Sequence, residues 1–377
     1  SRSLRWPASH GGAGKGPPLL GYRTAIMNVQ PLFNLMVEKR ASDLFLTCFA
    51  PVKIKIDGKI MPVNKLELTP QMVRQAAMEL MTGDQLEEFN RELEIDFAIS
   101  KPGLGRFRVN IFHQRSNVAI VMRYITHDLP DLDVLGMPPI LKDLIMFRRG
   151  LVLMVGATGS GKSTTLAGMI NYRNEKTASH IITIEDPIEY LHTNKKSIIN
   201  QREVGVDTKS YARALKSAMR EAPDVILIGE VRDRETMQAA IDLAGTGHLA
   251  VATIHSNNAP ETLDRMINLF PEEQHAQVFM DLSQYLRAII SQRLVRGTEG
   301  QRVAAVEVML NTPRIAELVQ RGDISKVKES FADSTEQGMQ SFDQALLKLY
   351  KDGKISMEEA LANADSRSNL EAQIHFA

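Results

Sequence analysis

The 377-residue sequence has a single cysteine, Cys48. No disulfide can therefore close within the chain, and no CxxC pair offers a structural zinc site. Cys48 lies in an apolar run, DLFLTCFA, where it reads as a buried and unreactive thiol. Such sparing use of cysteine fits a reducing, cytoplasmic location. An excess of either charge is missing too, since 45 Lys and Arg balance 45 Asp and Glu. A dedicated nucleic-acid binder usually carries a strong basic excess, so no nucleic-acid partner is expected. No apolar run reaches the ~18–20 residues needed to cross a bilayer, and no signal peptide is evident. Membrane association is then expected through a partner, without direct insertion. There is no internal repeat either.

What is present is enough apolar material, 44% of residues, to build sizeable cores in about two to three domains. Residues 1–26 are rich in Gly, Pro and basic residues and lack hydrophobic periodicity. They are expected to form a flexible extension, with Met27 as the natural start. GGAGKG within them follows no strand and carries no phosphate-site signal. Over 27–126, strand and helix signals alternate as in a small α+β domain. KIKIDGKIMPV sets Asp57-Gly58 between two alternating runs and predicts a hairpin. TPQMVRQAAMELMTGD predicts a helix ending at Gly83. ELEIDFAIS, GRFRVNIFHQ and VAIVMRYI predict three further strands. The stretch 127–139 has little periodicity and several prolines, and is expected to be a linker.

Over 140–312, the near-continuous apolar runs LVLMV, HIITI, DVILI and LAVATI alternate with helical segments. That pattern predicts an α/β domain with a parallel sheet buried on both faces. Over 313–377 the chain turns helical, and Ser356 with Glu359 has the form of a capping box.

Gly156-Ala157-Thr158-Gly159-Ser160-Gly161-Lys162-Ser163 fits G-x-x-x-x-G-K-[ST], with a strand before it and a helix after. Small residues let backbone N–H groups curl around a phosphate, and the helix start adds a favourable field for the anion. Lys162 would reach the β- and γ-oxygens, the Ser163 hydroxyl would ligate Mg²⁺, and Thr164 follows in the same turn. Three more apolar strands end in functional groups: Glu185-Asp186-Pro187, Glu230 and His255. Ligands collect beyond the carboxyl ends of strands in open parallel sheets, so these groups should converge on one NTPase site. Glu185 could accept the proton of an attacking water and Glu230 could hold Mg²⁺ or its waters. Spacing alone does not decide which acid takes which role. His255 and His248 could each sense a γ-phosphate or simply satisfy backbone groups. An extra cation over the developing charge often comes from a neighbouring subunit. Arg106 and Arg108, on one face of a strand, and Arg123 are candidates for it. Arg220, Arg232 and Arg234 are their rivals.

GATGSGKST, TIEDPIEY, NQREVGVDT, ALKSAMREAPDVILIGEVRD and AGTGHLAVATIHSNNAPETLDRMI resemble the signature boxes of the secretion and pilus ATPase family. There they are called Walker A, Asp box, Walker B and His box. The chain is similar to the type IV pilus retraction ATPases, the PilT and PilU group. Thr312-Pro313 is followed by Arg314-Ile315-Ala316-Glu317-Leu318-Val319, where PilT-type members carry Ala-Ile-Arg-x-Leu-Ile-Arg. That difference favours the PilU side. The resemblance implies a RecA-like P-loop NTPase core with a smaller, PAS-like N-terminal domain. It also implies a homo-hexameric ring with ATP at the subunit interfaces. It makes Glu185 the general base, Glu230 the Walker B acid, and His248 and His255 the His-box residues. It further implies docking on a polytopic inner-membrane pilus platform protein, on its cytoplasmic side, and work alongside a PilT-type paralogue. An alternative is a nucleotide-binding accessory ring that modulates a partner motor with little hydrolysis of its own. A nucleic-acid translocase shares the core, and the zero net charge argues against it.

Overall fold

The computed structural model describes residues 28–56, 58–332 and 338–375, without the side chains of 328 and 332. The expected extension 1–26, Met27 and Asp57 of the expected hairpin lie outside the described residues. The chain divides into two compact units: one runs to Asp96 and includes Val109–Arg123, and the other comprises Phe97–Arg108 and the chain from Tyr124 onward.

The first sheet draws on α1 (Gln30–Glu38), β1 (Asp43–Leu46), β2 (Pro51–Ile56), β3 (Lys59–Glu67), α2 (Pro70–Leu80), α3 (Gly83–Glu92), β4 (Glu94–Lys101), β5 (Gly105–Gln114) and β6 (Asn117–Ile125). Its strand order is β3-β2-β1-β6-β5-β4, and β1 pairs antiparallel with both β2 and β6. Alternation in β5 buries Phe107, Val109 and Ile111 on one face and puts Arg106 and Arg108 on the other. The helix expected to end at Gly83 stops at Leu80, and Gly83 is instead the first residue of the next helix. Thr82 accepts the Gln85 N–H while the Gln85 side chain accepts the Thr82 N–H, so a capping box starts α3 where glycine reads as a stop. Cys48 is buried, and burial pushes its thiol pKa up.

In the second unit come α4 (Ile140–Ile145), β7 (Gly150–Val155), α5 (Lys162–Lys176), β8 (His180–Glu185), β9 (Ile198–Glu203), α6 (Tyr211–Ala218), β10 (Val225–Ile228), α7 (Arg234–Gly245), β11 (Leu249–Ile254), α8 (Ala259–Asn268), α9 (His275–Tyr285), β12 (Leu286–Arg296) and β13 (Arg302–Leu310). The helices α10 (Pro313–Gln320), α11 (Ile324–Ala332), α12 (Phe342–Lys351), α13 (Met357–Asn363) and α14 (Arg367–His375) follow. The strand order is β13-β12-β7-β11-β10-β8-β9, parallel from β12 to β9, with β13 antiparallel at the edge. Leu151, Leu153 and Val155 of β7 enter one core with α7 and α8, whereas Val152 and Met154 enter the opposite core with α4 and α5. That two-sided burial is why β7 reads as an unbroken apolar run. The segment 127–139 is anchored, because Leu132 and Met137 are buried in the second of these cores. Leu132 lies so close to Gly168 that a Cβ there would be 2.9 Å from it.

Ser356 accepts the Glu359 N–H, as half of the expected capping box. The Glu359 carboxylate turns instead to the Arg296 N–H at 2.9 Å and the Asn363 amide at 3.0 Å. A backbone donor from β12 outcompetes the local one, and α13 is thereby tied to the sheet.

Glu307 of β13 is 2% exposed and accepts from the Ala259 N–H and the Ser291 hydroxyl, both at 2.8 Å. Burial pushes its pKa up to about 7. The folded state therefore keeps a proton that the unfolded chain releases near pH 4.5. Stability should fall as pH rises from about 4.5 to about 7, by on the order of 3 kcal/mol, and level off above that. In Glu307→Gln the amide oxygen can accept both bonds without titrating. Thermal unfolding from pH 5 to pH 8 is expected to show a flatter profile in this variant. An unchanged slope would remove Glu307 as its source.

Candidate active site

Register brings the functional groups together. Val155 pairs with Ile254, and Ile228 pairs with both Ala252 and Ile184. Residues one or two positions beyond these pairs, namely Gly156, Glu185, Glu230 and His255, therefore emerge at one sheet edge. A cavity of about 670 Å³ opens there. It is lined by Thr158, Gly159, Gly161, Lys162, Ser163, Thr164, Glu185, Glu230 and His255, together with Tyr211 and Arg232. Gly156 and Ser160 line a second cavity of about 450 Å³, which shares Thr158 and Gly159 of the loop with the first.

The loop is shaped from below by a residue that sequence reasoning passed over. Gln292 of β12, 2% exposed, donates its amide to the Ser160 carbonyl at 2.8 Å and accepts the Thr165 hydroxyl at 2.8 Å. Gly156, at φ +150°, could not carry a Cβ, which would sit 2.5 Å from the Gln292 carbonyl. Gly161, at φ +88°, faces the Gln292 amide nitrogen at 2.7 Å in the same sense. Both glycines are thus demanded by close approach as well as by dihedral. Lys162 Nζ donates to the carbonyls of Gly156 at 2.7 Å and Ala157 at 3.0 Å. Burial holds its pKa below the ordinary lysine value.

The two acids are driven in opposite directions. Burial raises the Glu185 pKa, although the Thr183 hydroxyl at 2.6 Å and the Gln201 amide at 3.2 Å both donate to its Oε1. Burial also acts upward on Glu230. There the hydrogen bond from Arg232 at 2.6 Å, and the charges of His255, Arg232 and Lys162, outweigh it and hold the carboxyl below its ordinary value. His255 Nε2 lies 2.9 Å from Glu230. A pair of carboxyls separated in this way is suited to two roles, one as proton acceptor and one as permanent anion.

His248 lies apart from this arrangement within one chain, where it satisfies backbone groups, one of the two roles open to it from sequence. It precedes β11, accepts the Gly150 N–H through its carbonyl, and turns its Nδ1 toward the Leu243 carbonyl and the Thr246 hydroxyl. A six-residue strand separates it from His255, a span of about 20 Å. A strand presents its two ends to opposite edges of the sheet, so two histidines flanking one strand cannot share one edge.

Arg106, Arg108, Arg123 and Arg220 do not line the cavity either; its arginines are Arg232 and Arg302. Arg106 lies 3.6 Å from Glu203, Arg123 pairs with Asp43 at 2.9 Å, and Arg220 is exposed. Among the described residues no group of three or more His, Cys, Asp and Glu could hold a metal ion. Ser163 and an ionised Glu230 nevertheless suit Mg²⁺, which usually keeps several waters and takes its remaining oxygens from phosphates.

The family described as Type II/IV secretion system protein matches residues 22–305. The type IV pilus ATPase PilU of Pseudomonas aeruginosa is 51% identical over 349 residues, which cover 92% of this chain and 91% of that protein. The type IV pilus retraction ATPase PilT of the same organism is 40% identical over 344 residues, covering 91% of this chain and all of that one. The crystal structure of the pilus retraction motor PilT with bound ADP superposes with a TM-score of 0.85 at 40% identity, over 92% of this chain and 99% of its own. With the phosphate loop, the acids and the sheet order in place, these likenesses make the chain a member of the type II/IV secretion system protein family, among the pilus and secretion ATPases.

Proposed function

We propose that the chain is the subunit of a hexameric motor that couples MgATP hydrolysis to type IV pilus retraction, together with a PilT-type ATPase. The observation that carries this reading is the convergence of the phosphate loop, Glu185, Glu230 and His255 on one cavity. Backbone N–H groups of 156–161 and the start of α5 take the β-phosphate, and Lys162 leaves its carbonyls for the β- and γ-oxygens. Ser163 and Glu230 would hold Mg²⁺, which when bound neutralises charge across those oxygens. Glu185, with its raised pKa, takes the proton of the attacking water, and His255 senses the γ-phosphate beside Glu230.

Residues 27–126 serve as the smaller module, 140–312 as the motor, and 313–377 as a helical region. A neighbouring subunit supplies the cation in trans, from Arg106, Arg108, Arg123 or Arg220. Serving in trans would cost Arg106 and Arg123 their present carboxylate partners. The ring works at the cytoplasmic face of the inner membrane through a platform protein; no described helix is long and apolar enough to cross a bilayer. The accessory-ring reading draws on α10, where Arg314 and Glu317 form an ion-pair set with Arg321, the residue that follows the helix, at the position of the altered motif.

MgATP turnover per subunit, measured across protein concentration with mass determined in the same samples, tests the proposal. Turnover should rise as hexamers form. Negligible turnover in a formed hexamer would replace the motor with the accessory ring.

A further inference from the structure

We propose that the Tyr211 hydroxyl is a further catalytic group, holding the attacking water beside Glu185; this rests on the reading of Glu185 as the base. Tyr211 is the first residue of α6, whose start is fixed by Ser210 accepting the Arg213 N–H. Its ring packs against the core that contains Ala214 and Leu215, so the aromatic body is anchored and the hydroxyl end reaches the cavity. Gly229 locates that end. A Cβ on Gly229 would lie 2.8 Å from Tyr211 Oη and 3.0 Å from Glu185 Cα. The hydroxyl therefore occupies the floor between the ends of β8 and β10, with Glu185 on one side and Glu230 following Gly229 on the other.

Among the described residues this hydroxyl has no hydrogen-bond partner, although it faces a polar cavity. A phenylalanine would pack the ring equally well, so core packing does not account for the oxygen. Burial and the charges of Asp186, Glu230 and Glu185 push the phenol pKa up, and the group stays protonated wherever the enzyme works. It can accept one water hydrogen or donate to a water lone pair, and it gives up no proton. As the new O–P bond forms, Glu185 takes the water's other proton. The bond from Pγ to the bridging oxygen breaks and ADP leaves with that electron pair.

Tyr211→Phe in the full chain removes one oxygen and keeps the ring. We expect kcat to fall roughly tenfold, the size of one lost hydrogen bond at the reacting centre. Affinity for ADP and for a non-hydrolysable ATP analogue, and the melting temperature, should not change. Unaltered kcat overturns the proposal. So does a loss of analogue affinity matching the loss in kcat/KM, which would make the hydroxyl a ground-state phosphate contact. Glu185→Gln in parallel separates the two claims. If it turns over normally, the base assignment fails. If it is inactive while Tyr211→Phe is wild-type, only the tyrosine's role falls.

Discussion

Glu185→Gln is expected to lower kcat by about 10²–10⁴-fold, the usual contribution of a positioned general base, with ATP affinity little changed. The amide keeps the shape of the carboxyl and can still accept the bonds that Thr183 and Gln201 now make to Oε1. It cannot take a proton. The wild-type kcat should also lose activity toward acid, as a carboxyl whose pKa burial has raised becomes protonated. That acidic limb should be absent from the residual activity of the variant. Steady-state rates across pH, with analogue binding by titration, measure both effects. An acidic limb persisting unchanged in Glu185→Gln would assign it to another group.

Lys162→Ala is the second large effect. Nζ is the cation that the loop holds at its mouth, 2.7 and 3.0 Å from two carbonyls, at a partly desolvated position where charge acts strongly. Removing one such electrostatic contributor typically costs on the order of 10²–10³-fold in rate. Unlike Glu185→Gln, this variant should also bind ATP more weakly, because the lysine meets the γ-oxygens in the ground state as well as in the transition state. ADP affinity should suffer less than ATP affinity. An equal loss for both nucleotides would place the lysine on the β-phosphate alone. Wild-type turnover would remove it from the site.

Most of the candidate site was legible because its signals are local. A phosphate loop needs small residues and a lysine within eight positions of one strand, and GATGSGKS carries all of that in one stretch. Buried parallel strands read as apolar runs, so Glu185, Glu230 and His255 could be placed at strand ends without coordinates. The residues left open or missed depend on pairing. His248 and His255 look equivalent in the text, and only strand direction assigns them to opposite edges. Strand β12 follows α9 with no punctuating Gly or Pro, so its Gln292, lying 132 positions from the Ser160 carbonyl it holds, sends no local signal. Tyr211 opens a helix well separated in sequence from both acids, and its hydroxyl comes to lie beside Gly229, between the strand ends that carry them.

The sequence by itself determined the α/β class, the phosphate loop and which strand ends carry acids, because propensity, periodicity and motif spacing act over a few residues. Tertiary structure alone decided which end of each strand faces the cavity, what braces the loop from beneath, and how two similar carboxyls come to differ in pKa. Burial, register and charge proximity are set by residues tens to more than a hundred positions apart, and those distances exist only in the folded chain.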